Sequence, residues 1–344
     1  MKRRIWGIFL VVILVAGLGT VAVIGRNASL DAPVLEPRAI LSVNWGSGAN
    51  QVAYKTVQAD GWMGPSTFAV AGDLVYIVDR INREIKVFNH AGEIVNRISL
   101  PEEFCRHPDE LEVIGDTLFL TYYDVDKPHA LARYANGTWS TVDLPAMVPG
   151  FVGWFQLSRH GNRLVIRRDV PPEDDHGNVP RWAVIDERGN LVLTRTELLS
   201  SPDEQDCEPH LVSPDTGRQS VAPPKQEIVL VNPAGQIVKR KAIDGGVATN
   251  VVTMLKDDVR NVFVRTRPLS GELDRWTTYL TVYGPDLEVK ARSALRLPAE
   301  YRDNFAWPSS DVGRTELVAQ SKYYEMLYMK DRLVILEWNP LGIK

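Results

Sequence analysis

Two short segments of the sequence concentrate side chains that can bind a metal ion. The first reads Cys105-Arg-His107-Pro-Asp109-Glu110, and the second reads Asp206-Cys207-Glu208-Pro-His210. Thiolate, imidazole and carboxylate groups bind zinc and similar ions, and close spacing lets one loop offer several of them. Neither segment has the Cys-x-x-Cys or His-Glu-x-x-His spacing of a specific zinc motif. The candidate cofactor is a divalent metal ion, and its candidate ligands are His107, Glu208 and His210.

The same two segments allow two other interpretations. The chain has 2 cysteines, which are too few for a disulfide framework but sufficient for one bridge between Cys105 and Cys207. An oxidising compartment would preserve such a bridge. The third interpretation is that both segments are solvated loops whose acidic residues cap turns. The sequence leaves these three interpretations open.

A second set of side chains can bind a small molecule or a protein. Arginine binds carboxylates and phosphates through a fork of N–H donors, and aromatic rings offer flat apolar surfaces. The alternatives are a solvated rim of mixed charge and aromatic packing between strands. The ligand-binding candidates are Thr67, Arg80, Glu110, Trp154, Arg168, His210, Asn250, Arg265 and Asn304.

Composition and missing motifs limit the classes of function. A net charge of −4 argues against a nucleic-acid footprint covering a whole face, so no nucleic-acid partner is predicted. The hydrophobic fraction of 44% and the charged fraction of 24% are those of a globular protein. The sequence contains no serine nucleophile elbow, phosphate loop or dinucleotide fingerprint. We therefore assign no catalytic residue.

The elements that would position these candidates are short strands joined by tight turns. From Gly64 onward, β-branched and aromatic runs alternate with turn residues, without a long helical pattern. The best-formed unit, Gly64 to Leu100, contains four such runs, and the turn Asn89-His-Ala-Gly92 joins the last two. Four strands joined by tight turns make one blade of a β-propeller.

Hairpin turns of this kind recur along the chain. Residues in these turns are separated by 45, 52, 46, 51 and 45 positions, and they are Gly92, Gly137, Gly189, Gly235, Asp286 and Asp331. A period of about 45–50 residues is typical of propeller blades. The sequence therefore predicts an all-β fold, a six-bladed β-propeller over residues 39–344. Two routes to closure are open: Ala39–Trp45 adds the outer strand of the last blade, or Arg332–Trp338 is itself that strand.

The first complete unit resembles an NHL repeat. The family pattern Gly-Pro-x-Gly-Ile-Ala-Val, Tyr-Val-x-Asp, Asn, Arg-Ile-x-Val-Phe and Gly is followed from Gly64-Pro65 to Gly92. The sequence departs from it at Thr67, where the family has glycine, and at Glu84, where it has arginine. Asp79, at the end of a strand of this repeat, is expected to cap a turn by accepting hydrogen bonds from backbone N–H groups. The resemblance is good over Gly64–Leu100 and degenerate elsewhere. It implies a six-bladed propeller but no single activity, because the family includes protein-binding scaffolds, lyases and RNA-binding modules.

The N-terminus predicts export and a membrane anchor. Residues Ile5–Ile24 carry no charge, and about 20 apolar residues span a bilayer as a helix. Lys2, Arg3 and Arg4 precede this segment, which places the N-terminus inside and the rest of the chain outside. We divide the chain into an anchor or signal at 1–25, a linker at 26–38 and the propeller. Cleavage near the end of the apolar segment is the alternative, and it would give a secreted protein.

The sequence as a whole predicts a single-pass protein of the cell membrane whose propeller lies on the extracytoplasmic side. In a propeller, loops at one end of the blades gather around the central channel and form pockets there. We expect the segment Arg265–Arg275 to be one of these loops, which would place Arg265 beside the channel. The favoured function is a scaffold that binds a protein or a small molecule without performing a reaction. The alternative is a metal-dependent hydrolase or lyase, which would need Glu110, Glu208, His107, His210 and Asn250 to converge over the channel.

Overall fold

In the computed structural model of this 344-residue chain, the described residues are 32–57, 61–123, 129–169, 182–194, 208–212, 226–231, 237–243, 249–257, 259–268, 277–306 and 314–342. They form an all-β propeller in which three single-turn helices interrupt the strands. The strands before the first blade are β1 (Val34–Leu35), β2 (Arg38–Asn44), β3 (Lys55–Val57) and β4 (Gly61–Met63). Strands β3 and β4 pair only with each other among the described residues.

Three antiparallel four-stranded blades follow in chain order. Blade A contains β5 (Phe68–Ala71), β6 (Leu74–Asp79), β7 (Glu84–Asn89) and β8 (Ile94–Ser99). Helix α1 (Glu102–Cys105) leads to blade B, which contains β9 (His107–Ile114), β10 (Thr117–Tyr123), β11 (Ala130–Ala135) and β12 (Thr138–Val142). Helix α2 (Leu144–Met147) leads to blade C, which contains β13 (Trp154–His160), β14 (Arg163–Asp169), β15 (Trp182–Ile185) and β16 (Leu191–Thr194).

A three-stranded sheet and two further blades complete the described part of the chain. The three-stranded sheet contains β17 (Glu208–Val212), β18 (Glu227–Val231) and β19 (Ile237–Ala242). Blade D contains β20 (Thr249–Lys256), β21 (Val262–Pro268), β22 (Thr277–Tyr283) and β23 (Val289–Arg296). After helix α3 (Ala299–Arg302), blade E contains β24 (Glu316–Ala319), β25 (Lys322–Tyr328) and β26 (Arg332–Trp338).

The N-terminal strands close the ring of blades. Strand β2 pairs antiparallel with β26 and becomes the outer, fourth strand of blade E. The first of the two closure routes is therefore confirmed, and Arg332–Trp338 is the third strand of its blade. Strand β1 pairs in parallel with β23 as a fifth strand of blade D, so the last part of the predicted linker 26–38 contains a paired strand. Pairing the two ends of the chain removes a sheet edge.

The hydrophobic core lies between the blades. Separate buried clusters join blades E and A, blades A and B, blades B and C, and blades D and E. A further cluster packs Ile228 and Leu230 of the three-stranded sheet against Val262 and Val264 of blade D. Blades A, B, D and E bury apolar residues on both faces because each face packs against a neighbouring sheet.

The turns explain why the strands end where they do. Asn136 and Gly137 join β11 to β12 with φ angles of 52° and 79°, the left-handed backbone that an Asn-Gly hairpin turn requires. Asp79, at the end of β6, accepts hydrogen bonds from the backbone N–H of Asn82 at 3.1 Å and from its amide at 2.9 Å. This confirms Asp79 as a turn-capping carboxylate.

One predicted turn marker is out of phase with the others. Gly92, Gly137 and Gly189 lie in turns between the third and fourth strands of blades A, B and C. Asp331 instead lies between the second and third strands of blade E, because β2 supplies the fourth. The regular spacing therefore identified the hairpins but misplaced the last one within its blade.

Within residues 32–342, as far as they are described, no helix has the length and apolar character to span a membrane. The apolar segment Ile5–Ile24 lies outside the described residues.

Candidate functional site

The innermost strands of the blades enclose a central channel with a cavity of about 740 Å³. Strands β5, β9, β13, β20 and β24 contribute its walls. We call the end at which these strands begin the upper face; the connections between second and third strands lie at the same end. The charged side chains on the channel wall are Asp109, Glu110, Glu112, Arg159, Arg167, Lys256, Arg314 and Glu316.

Arg314 lines this channel. It lies just before β24 of blade E, its backbone N–H donates to the carbonyl oxygen of Asp109 in blade B at 3.0 Å, and its guanidinium contacts carboxylates of the same blade. Nη2 lies 2.9 Å from Oε1 of Glu112, and Nη1 lies 3.6 Å from Oε2 of Glu110. Nη1 also donates to the carbonyl oxygen of Leu157 in blade C at 3.2 Å, and Nη2 donates to that of Leu111 at 2.5 Å. One side chain therefore links three blades, two of which are not neighbours of its own.

The local structure of β9 places both carboxylates on the channel side. Side chains two residues apart on a strand share a face, so Glu110 and Glu112 point the same way while Leu111 is buried in the core between blades A and B. The pairing of β9 with β10 shifts register between Leu120 and Tyr122. At this bulge the backbone N–H of Glu110 donates a hydrogen bond to the hydroxyl oxygen of Thr121 at 2.9 Å.

Burial dominates the electrostatics of Glu110. The desolvation of its charged form raises its pKa to about 7, while Arg314 and a hydrogen bond from the backbone N–H of Leu157 act in the opposite direction. Burial also raises the pKa of Asp109, which Arg314 again counteracts. For Arg314, burial acts to lower the pKa, but Glu112 and Glu110 outweigh it and the pKa is raised. The channel thus contains a carboxyl group that titrates near neutral pH.

A second buried arginine stands behind the wall of the channel. Nη1 of Arg265 lies 2.7 Å from Oε1 of Glu316 and 2.9 Å from Oε1 of Glu325. It also contacts the hydroxyl of Tyr323 at 3.2 Å, and Nε donates to Thr278 at 3.1 Å. Arg265 lies inside β21 and not in a loop, so the predicted loop position is wrong. Its guanidinium joins blades D and E through these ion pairs, and Arg265 does not line the cavity.

Aromatic rings stack at the upper face between blades B and C. The rings of His107 and Tyr123 lie 4.6 Å apart and 13° from parallel, and those of Tyr123 and His129 lie 5.0 Å apart and 1° from parallel. Trp154 leans on the stack at 4.2 Å from His129 and 60° from its plane. Trp154 is 56% exposed and also lines the cavity. It offers an open aromatic surface at the mouth of the channel.

His129 in this stack is a neutral side chain. Burial lowers its pKa to about 4, so its ring carries no charge at neutral pH. The backbone N–H of Phe155 donates to its Nδ1 at 3.4 Å, which places the proton on Nε2. His129 supports Trp154 by packing, because both rings lie between the two blades.

The structure brings only some of the predicted ligand-binding residues to the channel. Glu110 and Trp154 line the cavity. Thr67, Arg80 and Arg168 are buried within the blades. Asn304 is exposed after α3, where its amide donates to the carbonyl oxygen of Glu300 at 3.0 Å. These four residues do not line the cavity, and their predicted role in ligand binding stays a prediction.

The remaining candidates fall wholly or partly outside the described residues. Glu208 and His210 lie in β17 and Asn250 lies in β20, but their side chains are not described. Cys207 lies outside the described residues, so its pairing with Cys105 stays a prediction. The Cys105 thiol donates to the carbonyl oxygen of Pro101 at 3.1 Å, and burial raises its pKa to about 11.

The metal prediction also stays open. Among the side chains that the structure describes, no group of three or more His, Cys, Asp or Glu residues is arranged to hold a metal ion. His107, the described member of the predicted ligand set, stacks on Tyr123.

The sequence reasoning missed the residues that organise the channel. Glu112 could have been found from strand alternation, since it follows Glu110 by two positions on the same strand. Arg314 and Glu316 carry no local motif. Arg314 lies about 200 positions from the carboxylates that it binds, so their meeting depends on the ring of blades.

Comparison with known proteins identifies no family. No family model and no curated protein matches the chain. Among solved structures, hydrazine synthase of Kuenenia stuttgartiensis is 12% identical, with 78% of this chain and 75% of that chain covered and a TM-score of 0.41. A putative exported protein of Bacteroides fragilis is 11% identical, with 89% and 94% covered and a TM-score of 0.39. Streptogramin B lyase is 11% identical, with 83% and 97% covered and a TM-score of 0.36.

Proposed function

We propose that this protein is a membrane-anchored, extracytoplasmic β-propeller that binds a protein or a small molecule over its central channel and performs no reaction of its own. The observation that carries this proposal is the cavity of about 740 Å³, which falls within the usual range of ligand pockets, about 300–1,000 Å³. Charged side chains on its wall are fixed by hydrogen bonds and ion pairs. A rigid, preformed site of this kind favours binding because little order is lost when a ligand enters.

Trp154 supports the upper face as the binding surface. An aromatic ring buries a large contact area with few rotatable bonds, and such residues often dominate binding energies. His129 and Tyr123 hold Trp154 from one side, while more than half of its surface is open. A ligand that covers this ring would gain apolar contact without first displacing a packed side chain.

The N-terminal segment supports the proposed location. Ile5–Ile24 would cross the membrane as a single helix, and the cations at Lys2, Arg3 and Arg4 would keep the N-terminus in the cytoplasm. Strand β2 begins at Arg38, so a short linker would place the propeller close to the outer membrane–water interface. Protease added to intact spheroplasts should degrade the propeller, whereas a protected propeller would contradict this orientation.

We also include six blades and an NHL-type first blade in the proposal. The three-stranded sheet occupies the chain interval between blades C and D, and it packs on blade D as the other blades pack on one another. A sixth blade at this position would match the predicted period of about 45–50 residues. The repeat pattern from Gly64 to Leu100 coincides with blade A.

The binding proposal is tested by ligand capture on the full chain in detergent micelles. Membrane extracts supply protein partners by affinity capture, and a small-molecule library supplies ligands by thermal shift. Trp154→Ala should abolish or weaken by at least tenfold the binding of whatever is found. Val289→Ala is the matched control, because Val289 is 52% exposed on the outer part of blade D. Binding that ignores Trp154→Ala, or that Val289→Ala removes equally, would contradict a site at the upper face.

A further inference from the structure

Two neighbouring strands on the outer side of the propeller carry positive charges and no negative ones. Strand β19 ends the three-stranded sheet and β23 is the fourth strand of blade D, and their two sheets pack against each other. Neither strand contains Asp or Glu, and their cations are Lys239, Arg240, Lys241, Lys290, Arg292 and Arg296. The fourth strands of blades A, B and C contain only one cation, Arg97. Positive charge is therefore concentrated on one side of the propeller, and we call β19 and β23 together the basic edge.

Several of these cations are not neutralised by an acidic neighbour. Arg240 forms an ion pair with Glu227 at 3.2 Å. Lys239 and Arg296 are exposed, Lys241 is partly exposed, and none of the three forms an ion pair with a side chain that the structure describes. Such cations attract an anionic surface, because their charge is directed into solvent and not spent on a carboxylate of the same chain.

Exposed apolar side chains accompany the cations. Ile237 and Val238 precede the three cations of β19. Val289 begins β23, and Val34 lies on β1, which pairs with β23; all four side chains are exposed. Apolar groups beside Lys and Arg suit the surface of an anionic bilayer, where the apolar groups enter the headgroup region and the cations meet lipid phosphates.

The chain enters the propeller at this same edge. The carbonyl oxygen of Pro33 accepts a hydrogen bond from the backbone N–H of Ala294 in β23 at 2.9 Å. The segment from Gly25 to Pro33 joins this point to the proposed anchor Ile5–Ile24, and its residues can span at most about 30 Å. The attachment therefore keeps the basic edge close to the bilayer. This favours lipid over an acidic protein as the partner of the edge.

We propose that the basic edge, together with Val34, docks on the anionic phospholipid headgroups of the leaflet from which the propeller emerges. The inference goes beyond ligand binding over the channel, but it rests on the membrane anchor of the proposed function. Outer strands form the circumference of the ring of blades. Docking through them directs the axis of the ring along the bilayer surface, so the mouth of the channel at Trp154 stays open to a ligand.

The test measures how far the basic edge is shielded in the full chain, reconstituted in nanodiscs of phosphatidylcholine with or without phosphatidylglycerol. Val238→Cys reports on the edge because Val238 is 45% exposed, and Val95→Cys is the matched control because Val95 is 51% exposed on β8 of blade A. A water-soluble maleimide should modify position 238 about tenfold more slowly in the anionic discs and position 95 at the same rate in both. The wild type, with its 2 native cysteines, gives the background. Salt at about 1 M should remove the shielding, because the Debye length falls to about 3 Å.

Charge variants show whether the cations cause the shielding. Each cation near an anionic surface contributes about a fivefold factor to docking, so Lys239→Gln with Lys241→Gln should weaken it about 25-fold and remove most of the shielding. Arg163→Gln with Arg188→Gln removes two exposed cations from blade C and should leave the shielding intact. Both double variants should keep the wild-type Tm within about 2 °C, because exposed charges contribute little to stability.

The outcomes separate this inference from the proposed function. Equal modification of position 238 in neutral and anionic discs would overturn lipid docking and leave the anchor and the channel site standing. Shielding that requires an added membrane-protein extract would assign the basic edge to an acidic protein and would also overturn lipid docking. A chain that does not co-elute with the discs contradicts the proposed anchor itself, and this inference falls with it.

Discussion

Glu110→Gln gives a direct test of the channel electrostatics. Burial raises the pKa of Glu110 from 4.5 to about 7, and each pH unit corresponds to about 1.4 kcal/mol, so the charged form is disfavoured in the folded protein by about 3 kcal/mol. Between these two pH values the folded chain binds more protons than the unfolded chain. The free energy of unfolding therefore falls as the pH rises from 4.5 through about 7. The amide of the variant does not ionise, so the loss of unfolding free energy caused by the charge of Glu110 is absent at every pH.

The expected result is a stability difference that grows with pH. At pH 5 the variant and the wild type should be nearly equal, because Glu110 is protonated in the folded wild type. At pH 8 the variant should be more stable by up to about 3 kcal/mol, or about 6 °C in Tm. Urea and thermal unfolding of the full chain at pH 5, 6, 7 and 8 measure this difference. The charged groups that act on Glu110 are Asp109, Glu112 and Arg314.

The matched control is Glu227→Gln, which removes a carboxylate from the solvent-exposed pair with Arg240. An exposed pair contributes about 0–1 kcal/mol, so this variant should show no comparable growth between pH 5 and pH 8. The reasoning is refuted if Glu110→Gln is less stable than the wild type at pH 8. That result would mean that attraction to Arg314 outweighs desolvation and that Glu110 is charged throughout the neutral range.

Three further predictions concern other parts of the chain. Lys86→Met should cost about 3–5 kcal/mol by denaturant unfolding, because Lys86 and Asp79 form an ion pair at 3.0 Å with side chains 1% and 0% exposed, and the substitution leaves a buried carboxylate without its cation. An unchanged free energy of unfolding would show that hydrogen bonds alone stabilise the buried negative charge of Asp79. Gly137→Ala should lower stability by about 1 kcal/mol, because its φ of 79° is strained for a residue with a Cβ atom; a neutral or stabilising effect would contradict the assigned turn. The proposed binding function predicts less than one zinc or calcium per chain by elemental analysis, and a Tm that chelators do not change. A stoichiometric ion lost in both His107→Ala and His210→Ala would favour the metal-dependent hydrolase or lyase instead.

Local signals predicted the blades well because hairpins are local structures. The Asn136-Gly137 turn requires left-handed backbone at two adjacent residues, and few sequences other than Asn-Gly adopt it readily. The same reasoning identified the turn-capping role of Asp79 from its position at the end of a strand. Such features depend on contacts within a few residues, so they can be predicted without knowing the tertiary structure.

The position of a hairpin within its blade was harder to predict. Asp331 looks like the other turn markers, but its blade takes β2 from the other end of the chain. Likewise, the sequence placed Arg265 in a loop, whereas the structure has it inside β21, paired with Glu316 and Glu325. Both errors concern partners more than 50 positions away, which local patterns do not identify.

The sequence by itself determined that this protein is a β-propeller, since alternation, turn chemistry and a repeat of about 45–50 residues depend on neighbouring residues alone. It also led to Glu110 and Trp154 as candidates at the channel. Only the tertiary structure decided which groups meet there. Arg314 and Glu112 come together because closure of the ring brings the segment before blade E against strand β9 of blade B. Desolvation in that enclosed space, which no residue type or spacing encodes, then sets the pKa of Glu110.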